Sequence, residues 1–498
     1  MKTAEQYIES IRELNATVYL FGKKVKSVPD DPILRPSLDA VARTYQMTTR
    51  PEYEDLMTDT SHLTGEKISR FTHVPMSVDD LVKKVRMVRL LASRIATCFQ
   101  RCGGLDGMIT MYHTTYEVDQ QFGTQYHQRF RKWLEYMQKE DLFPTAGVMD
   151  PKGDRSLRPA DQADKDLYLR VVEERQDGVV VCGAKAHQTG LTNAHELLVI
   201  PCRAMREHEK EYAIAFAVPS NTKGVTHIVG RQSCDTRRLE SCRMDWGNVR
   251  YACVEGLTVF DHVFVPWDRV FLHGETQAPV RAMEIFGGTH RITSGGGCVV
   301  GSYDVWIGAA ALVAEYNGLK NVEHIKHTIS KMILDQQAIM GCAMDAAWEG
   351  AKAPSGGYLN NMLMGNVTKY LSSQTGFEML KYLNEPAGGL PLTMPSEEDL
   401  RSKEIGQYVE KYLKGKAEVP TEYRMRIMRL IENMSVGNNH RLGELHGAGS
   451  PQTQIRYAYE TCNLEYLKHL AKVAAGIEEE EELSLSPKKN GRLSKVSK

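Results

Sequence analysis

Apolar residues recur at three- and four-residue spacing in the first third of the chain, most clearly in Leu81-Val-Lys-Lys-Val-Arg-Met-Val-Arg-Leu-Leu-Ala-Ser-Arg-Ile-Ala-Thr-Cys98. That period lines one face of an α-helix. Gly103-Gly104 follows and predicts a helix stop. Between about Asp141 and Glu275 the pattern changes to short β-prone runs: Gly178-Val-Val-Val-Cys182, Glu196-Leu-Leu-Val-Ile-Pro201, Tyr212-Ala-Ile-Ala-Phe-Ala-Val218, and Leu257-Thr-Val-Phe260 with Val263-Phe-Val-Pro266. Their spacing and turn residues predict a compact β region. From about Val280 to Gly476 the helical period returns, over Asp304 to Tyr316, His324 to Lys352 and Glu422 to Met434, as in a helix bundle. Five consecutive Glu from 478 then open a charge-segregated tail without aromatics. The chain therefore reads as α+β, with an N-terminal helical domain over 1–140, a middle β domain over 141–276, a C-terminal helix bundle over 277–477 and a disordered tail over 478–498.

Charge narrows the partners. With 62 Lys+Arg against 63 Asp+Glu the formal net charge is -1, which offers no basic field for nucleic acid. No uninterrupted apolar run reaches the roughly 18 residues of a membrane span, and the N-terminus lacks a signal-peptide layout. A cytoplasmic protein is the expectation. Its ten cysteines are then reduced thiols, some of them ligands, rather than a disulfide framework.

Some of those cysteines suggest chemistry. Cys98 and Cys102 stand four apart, a spacing that shares one face if both lie on a helix. His290 and Cys298 flank the run Arg-Ile-Thr-Ser-Gly-Gly-Gly, in which Ser294 to Gly297 permits positive φ and a backbone wrapped close to a bulky group. Together the four could converge on one iron-sulfur cluster. Taken separately, two buried thiols pack well as small apolar side chains, and a lone His before glycines is ordinarily structural. Asp150-Pro-Lys-Gly-Asp-Arg155 forms a turn that sets backbone N–H groups beside Lys152 and Arg155, suited to a flavin edge or pyrophosphate, although such turns are commonly just turns. Ala184-Lys-Ala-His-Gln-Thr-Gly190 carries hydrogen-bonding side chains at a strand end.

Six strings carry a resemblance: Thr97-Cys-Phe-Gln-Arg-Cys102, Asp150 to Arg155, Gly183 to Gly190, Gly230-Arg-Gln-Ser-Cys-Asp-Thr-Arg237, Ala387-Gly-Gly389 with Thr393-Met-Pro-Ser396, and His446-Gly-Ala-Gly-Ser-Pro451. Over about Thr3 to Gly476 the chain resembles the 4-hydroxybutyryl-CoA dehydratase/vinylacetyl-CoA Δ-isomerase family, itself similar to 4-hydroxyphenylacetate 3-hydroxylases and, in fold, to acyl-CoA dehydrogenases. The resemblance implies an acyl-CoA dehydrogenase-like α+β fold and a homotetramer carrying FAD and a 4Fe-4S cluster. It implies a hydro-lyase and isomerase acting on an acyl-CoA. In a 4-hydroxyacyl thioester the hydroxyl leaves C4 and a hydrogen must leave C3, which the carbonyl does not acidify, so simple acid-base catalysis fails. The family's answer is radical: a base takes the C2 proton, flavin accepts one electron, and the cluster polarises the leaving oxygen.

Carried over residue by residue, the resemblance implies Cys98, Cys102, His290 and Cys298 as cluster ligands, with His290 doubling as base. Glu255 and Glu444 are implied as further acid-base groups, Glu255 being otherwise a solvated strand-edge carboxylate. Asp150, Lys152, Asp154, Arg155, Gln188 and Thr189 would meet the flavin, as would Asn317, Gly388 and Gly389. Gln100 would face substrate or flavin, and Arg89 the CoA portion. The chain departs from the family pattern in three places: one extra residue between His290 and Cys298, Ser294 and Val299 where the family has Tyr and Lys, and Gly443 where it has a carboxylate, with Glu444 one place away. Those departures keep open a related acyl-CoA dehydratase or isomerase with a different acyl chain. A reduced-flavin aromatic hydroxylase and a non-catalytic scaffold are the other readings.

Overall fold

Helical periodicity builds most of the first 140 residues, but not all of them. The computed structural model describes residues 1–240, 243–437 and 447–477. Helices α1 (Ala4–Leu14), α2 (Arg35–Thr48), α3 (Glu54–Met57), α4 (Val78–Ile95), α5 (Cys102–Phe122) and α6 (Tyr126–Lys139) are interrupted by strands β1 (Val18–Leu20) and β2 (Lys23–Lys24) and by the hairpin β3 (Thr58–Thr60) and β4 (Lys67–Ser69). Helix α4 starts where Ser77 accepts a hydrogen bond from Asp80 N, an N-cap that satisfies one orphan donor.

The β-prone runs become β5 (Pro144–Gly147), β6 (Arg170–Glu174), β7 (Gly178–Thr189), β8 (Glu196–Val199), β9 (Ile214–Pro219) and β10 (Val225–Val229), then, after helix α7 (Trp246–Arg250), β11 (Glu255–Pro266) and β12 (Val270–His273). The two runs expected around 257–266 are one strand, joined through a bulge between Phe260 and Val263 where His262 takes φ +49°. Two sheets result. The larger has strand order β2-β1-β10-β11-β7-β6, so the N-terminal segment lends it two strands; the smaller runs β12-β9-β8-β5. Alternation explains their packing. Leu197, Val199, Ile214, Phe216 and Val218 of the small sheet meet Val179, Val181, Phe260, Val263 and Val265 of the large one. Their neighbours Leu198, Ala215 and Ala217 face the opposite way, onto Met108, Met111, Trp133 and Leu134 of α5 and α6.

Beyond β12 the chain is mostly helical: α8 (Ala278–His290), α9 (Val299–Tyr316), α10 (Glu323–Trp348) and, after a short hairpin of Ala351–Lys352 with Tyr358–Leu359, α11 (Met362–Asn384) precede shorter helices that include Thr421–Glu432. Val300, Tyr303, Trp306, Ala310, Met332, Ile339, Met379 and Met428 form their shared core. Between α8 and α9 the helix does not stop. Arg291–Cys298 continues it as a π-helix. The rod Ala278–Tyr316 is long and apolar enough to cross a membrane by length and composition, with mean hydropathy 1.5 over 18 residues, yet 67% of that window is buried inside the protein. It is placed as a core helix. The tail over 478–498 and Glu444 lie outside the described residues.

Candidate functional site

Helix α4 ends on Ala96 at φ +60°, and Gln100 four residues later sits at φ +68°. Two non-glycine residues held in the left-handed region make this a strained loop. It carries Cys98. Cys102 opens α5, so the pair does not share a helix face as the spacing suggested; the bend of the loop brings the two thiols within hydrogen-bonding reach. Gly103-Gly104 likewise does not stop a helix. It begins one, because a Cβ on Gly104 would lie 1.8 Å from the Pro144 carbonyl oxygen, and only glycine lets α5 pass β5 so closely.

Cys298 closes the π-helix and packs with Cys102, Val88 and Leu91 in one buried cluster. The expected positive φ at Ser294 to Gly297 is absent: these residues are helical, and the glycines instead receive neighbouring helices. A Cβ on Gly296 would stand 2.5 Å from Ala343 Cβ, and one on Gly297 2.7 Å from Val85 O. The glycine run serves helix packing first.

A fourth thiol joins the three. Cys253, just before β11, shares a hydrogen bond with Cys98 and feels the charges of Cys102 and Cys298. All four are at most 8% exposed. Gln100 N donates to Cys98 Sγ at 3.3 Å, and Gly103 N donates to Cys102. A hydrogen bond from Cys102 favours the Cys98 thiolate, but the bond shared with Cys253 and burial outweigh it and push this thiol well up. The hydrogen bond to Cys98 and burial do the same to Cys102. Crowded, buried thiols that also receive backbone N–H donors are a donor set for a soft or borderline metal, which supplies the charge that deprotonates them.

His290, the last residue of α8, is oriented by a buried carboxylate. Its Nδ1 lies 2.8 Å from Asp106 Oδ2, and its ring stacks on Phe286 at 5.2 Å. Asp106 is fully buried one turn beyond Cys102, with Lys84 Nζ at 3.0 Å and Thr293 Oγ1 at 3.1 Å on its other oxygen. Burial alone would raise this carboxyl; Lys84 and His290 overcome it and hold it below the usual carboxylate range. An ionised Asp106 only accepts, so His290 keeps its proton on Nδ1 and presents the Nε2 lone pair.

On the other side of the thiols, β7 and β11 pair Thr189 with Glu255. Thr189 Oγ1 donates to Glu255 Oε1 at 3.1 Å, and burial raises the Glu255 carboxyl despite that bond. Glu255 is no solvated edge group: its charge acts on Cys253. Next to Thr189, Gln188 is 2% exposed, and neither its amide oxygen nor its nitrogen has a hydrogen-bond partner. A buried amide left so is costly unless a ligand meets it.

Several expected contacts are committed elsewhere. The Gln100 amide is taken up within the protein: it donates to Ser37 O and Ala252 O and accepts from Asn193. Arg89 forms a two-bond ion pair with Asp304, both at 2.9 Å, tying α4 to α9. Asp150 is buried against Lys185 at 2.6 Å, a charge pair that fixes the start of the loop. Asn317 donates to Pro386 O and accepts from Arg424. Lys152, Asp154 and Arg155 are exposed on their loop, as are Gly388 and Gly389, whose Cβ positions meet nothing within 4 Å.

The model of the 4-hydroxyphenylacetate 3-hydroxylase N-terminal domain matches residues 3–272, and that of the C-terminal domain residues 280–476. The chain is 45% identical to the 4-hydroxybutyryl-CoA dehydratase/vinylacetyl-CoA-Δ-isomerase of Clostridium aminobutyricum, over 96% of its own length and 100% of that protein's. It is 26% identical to the oxygenase component of 4-hydroxyphenylacetate 3-monooxygenase from Thermus thermophilus, over 94% and 96%. Among solved structures, an oxygen-tolerant archaeal 4-hydroxybutyryl-CoA dehydratase from N. maritimus superimposes with TM-score 0.93 at 42% identity, covering 97% of each chain. A 4-hydroxyphenylacetate 3-monooxygenase oxygenase component complexed with FAD shares the fold, with TM-score 0.85 at 22% identity over 95% and 98%.

Proposed function

Because the chain belongs to the 4-hydroxyphenylacetate 3-hydroxylase family, we propose that it is a 4-hydroxybutyryl-CoA dehydratase with vinylacetyl-CoA Δ-isomerase activity. On this reading it is a cytoplasmic homotetramer with FAD and a 4Fe-4S cluster, on an acyl-CoA dehydrogenase-like layout. The observation that carries it is the gathering of three buried thiols and an oriented imidazole, in a chain similar to a dehydratase over its full length. An aromatic hydroxylase has no use for that donor set.

Cys98, Cys102, Cys298 and His290 would hold the cluster, a three-thiolate, one-imidazole set of soft and borderline donors. Gln188, with its unmet amide, and Thr189 would meet the flavin, with Lys152 and Arg155 available to its phosphates. When bound, the flavin supplies a reversible one-electron step and the cluster a Lewis acid for the leaving hydroxyl. The chain's own residues handle the protons. Nε2 is the one nitrogen free of Asp106, so His290 would serve as base only when released from the iron: it would then take the C2 proton at Nε2, and Asp106 would stabilise the imidazolium so formed. Glu255, its carboxyl raised by burial and oriented by Thr189, would return a proton to the acyl chain.

Anaerobically purified protein should carry FAD and about four iron atoms per chain, and form crotonyl-CoA from both 4-hydroxybutyryl-CoA and vinylacetyl-CoA. Crotonyl-CoA from vinylacetyl-CoA alone would mark an isomerase. Iron-free protein that hydroxylates a phenol with reduced flavin and oxygen would overturn the proposal. Cys298→Ala should abolish iron binding, and full retention would remove it as a ligand.

A further inference from the structure

The sequence pattern supplies three thiols to the candidate cluster, and the fold brings a fourth. Cys253 is 2% exposed and shares a hydrogen bond with Cys98, while its other acceptor, Val254 O, is a distant 4.0 Å. Its backbone is pinned on both sides. Ala252 N donates to Pro36 O at 3.0 Å, Gln100 Nε2 donates to Ala252 O at 3.2 Å, Gln232 Nε2 donates to Cys253 O at 2.7 Å, and Gly190 N donates to Val254 O at 2.8 Å. A thiol placed this firmly has little freedom to leave Cys98. Gln100 joins the two ends of the arrangement, because its backbone N–H reaches Cys98 Sγ while its side chain holds the carbonyl that precedes Cys253.

We propose that Cys253 is a positioning residue for the cluster rather than a ligand to it: in the free thiol pair Cys98 donates to Cys253, but a Cys98 bound as thiolate can only accept, so the Cys253 S–H would then donate to the Cys98 sulfur and, with the Gln100 N–H, set the electron density at that ligand. The inference rests on the cluster assignment above. Three thiolates and His290 already complete four ligands, so a fourth thiol beside Cys98 acts on sulfur. A donor on a ligand sulfur stabilises the reduced cluster, which carries one more negative charge, and so raises its reduction potential.

The test compares Cys253→Ala and Cys253→Ser in the full-length, cluster-loaded protein by iron content and by potentiometric titration followed by EPR. Both variants should keep wild-type iron; the Ala variant should shift the cluster potential negative, and the Ser variant, whose hydroxyl can still donate, should restore much of the shift. Loss of about one quarter or more of the iron in both variants would make Cys253 a ligand and overturn the proposal. An unchanged potential in Cys253→Ala would reduce it to a space-filling residue. Wild-type protein that binds no iron would remove the cluster assignment itself, and with it this role.

Discussion

Replacing Lys84 by Met should destabilise the protein and do so in a pH-dependent way, because among the described residues the Lys84 ammonium pairs directly with Asp106, whose other oxygen meets the His290 ring. The pair is 3.0 Å apart, with Lys84 2% and Asp106 0% exposed. At an effective dielectric of about 20 that separation corresponds to an attraction of about 5 kcal/mol, much of it offset by desolvation. Removing one partner of such a pair costs about 3–5 kcal/mol, since the other charge stays buried. In the parent, Asp106 is held below its ordinary value, so its contribution is present above the unfolded carboxylate range and lost as pH falls through the lower folded value. In Lys84→Met burial dominates and the carboxyl rises. The variant's deficit should then be largest near pH 7.5 and narrow toward pH 5, where Asp106 can take a proton. Urea midpoints for Lys84→Met, Asp106→Asn and the double variant, each at two pH values, form the cycle. The double variant should be more stable than the sum of the singles predicts. Additivity within about 0.5 kcal/mol, or a deficit that does not change with pH, would refute the reasoning.

Three further outcomes follow from named contacts. Gly301→Ala should cost about 1–3 kcal/mol in a thermal or urea melt, because its Cβ would lie 2.3 Å from Arg89 O and 2.8 Å from Ala92 Cβ. On the same helix Gly308→Ala meets nothing within 4 Å, and should gain about 0.5–1 kcal/mol; equal effects at the two positions would contradict the packing. Burial lowers the His227 pKa to about 4, with Thr258 and Ser220 on its ring nitrogens. A lowered histidine stabilises fully above the unfolded value near 6.5 and progressively less down to about 4, a loss of about 3 kcal/mol. His227→Gln should therefore flatten the acid limb of stability against pH, and parallel curves would rule this out. Glu255→Gln should lower turnover about 10²–10⁴-fold with FAD and iron contents unchanged; loss of FAD would instead make Glu255 a cofactor-holding residue.

Much of the fold was readable because alternation and helical period are local. Val179 and Val181 point into the sheet interface as their spacing requires, and α4 spans the periodic run from Val78 to Ile95. What failed depended on partners distant in sequence. Gly103-Gly104 carries a stop signal in isolation, but Pro144 turns it into a close-packed helix start. The glycines before Cys298 offered conformational freedom that the chain does not use, since Ala343 and Val85 occupy the space instead. Arg89 and Asp150 looked available for ligands because Asp304 and Lys185 are 215 and 35 residues away. Cys253 had a signal that was overlooked: it stands two residues before Glu255, and residues two apart in an extended segment share a face. Asp106 had one too, four residues after Cys102 on the same helical face.

The π-helical segment Arg291–Cys298 also bears on how this site tolerates insertion. A continuous α-helix turns about 100° per residue, so one additional residue between His290 and Cys298 would swing one side chain out of phase with the other. The wider π turn advances less per residue, and the eight residues Arg291–Cys298 therefore absorb most of that rotation without breaking the rod. On the proposed cluster assignment, phase rather than residue count is what would let imidazole and thiol meet one group, and a chain could lengthen here without losing it.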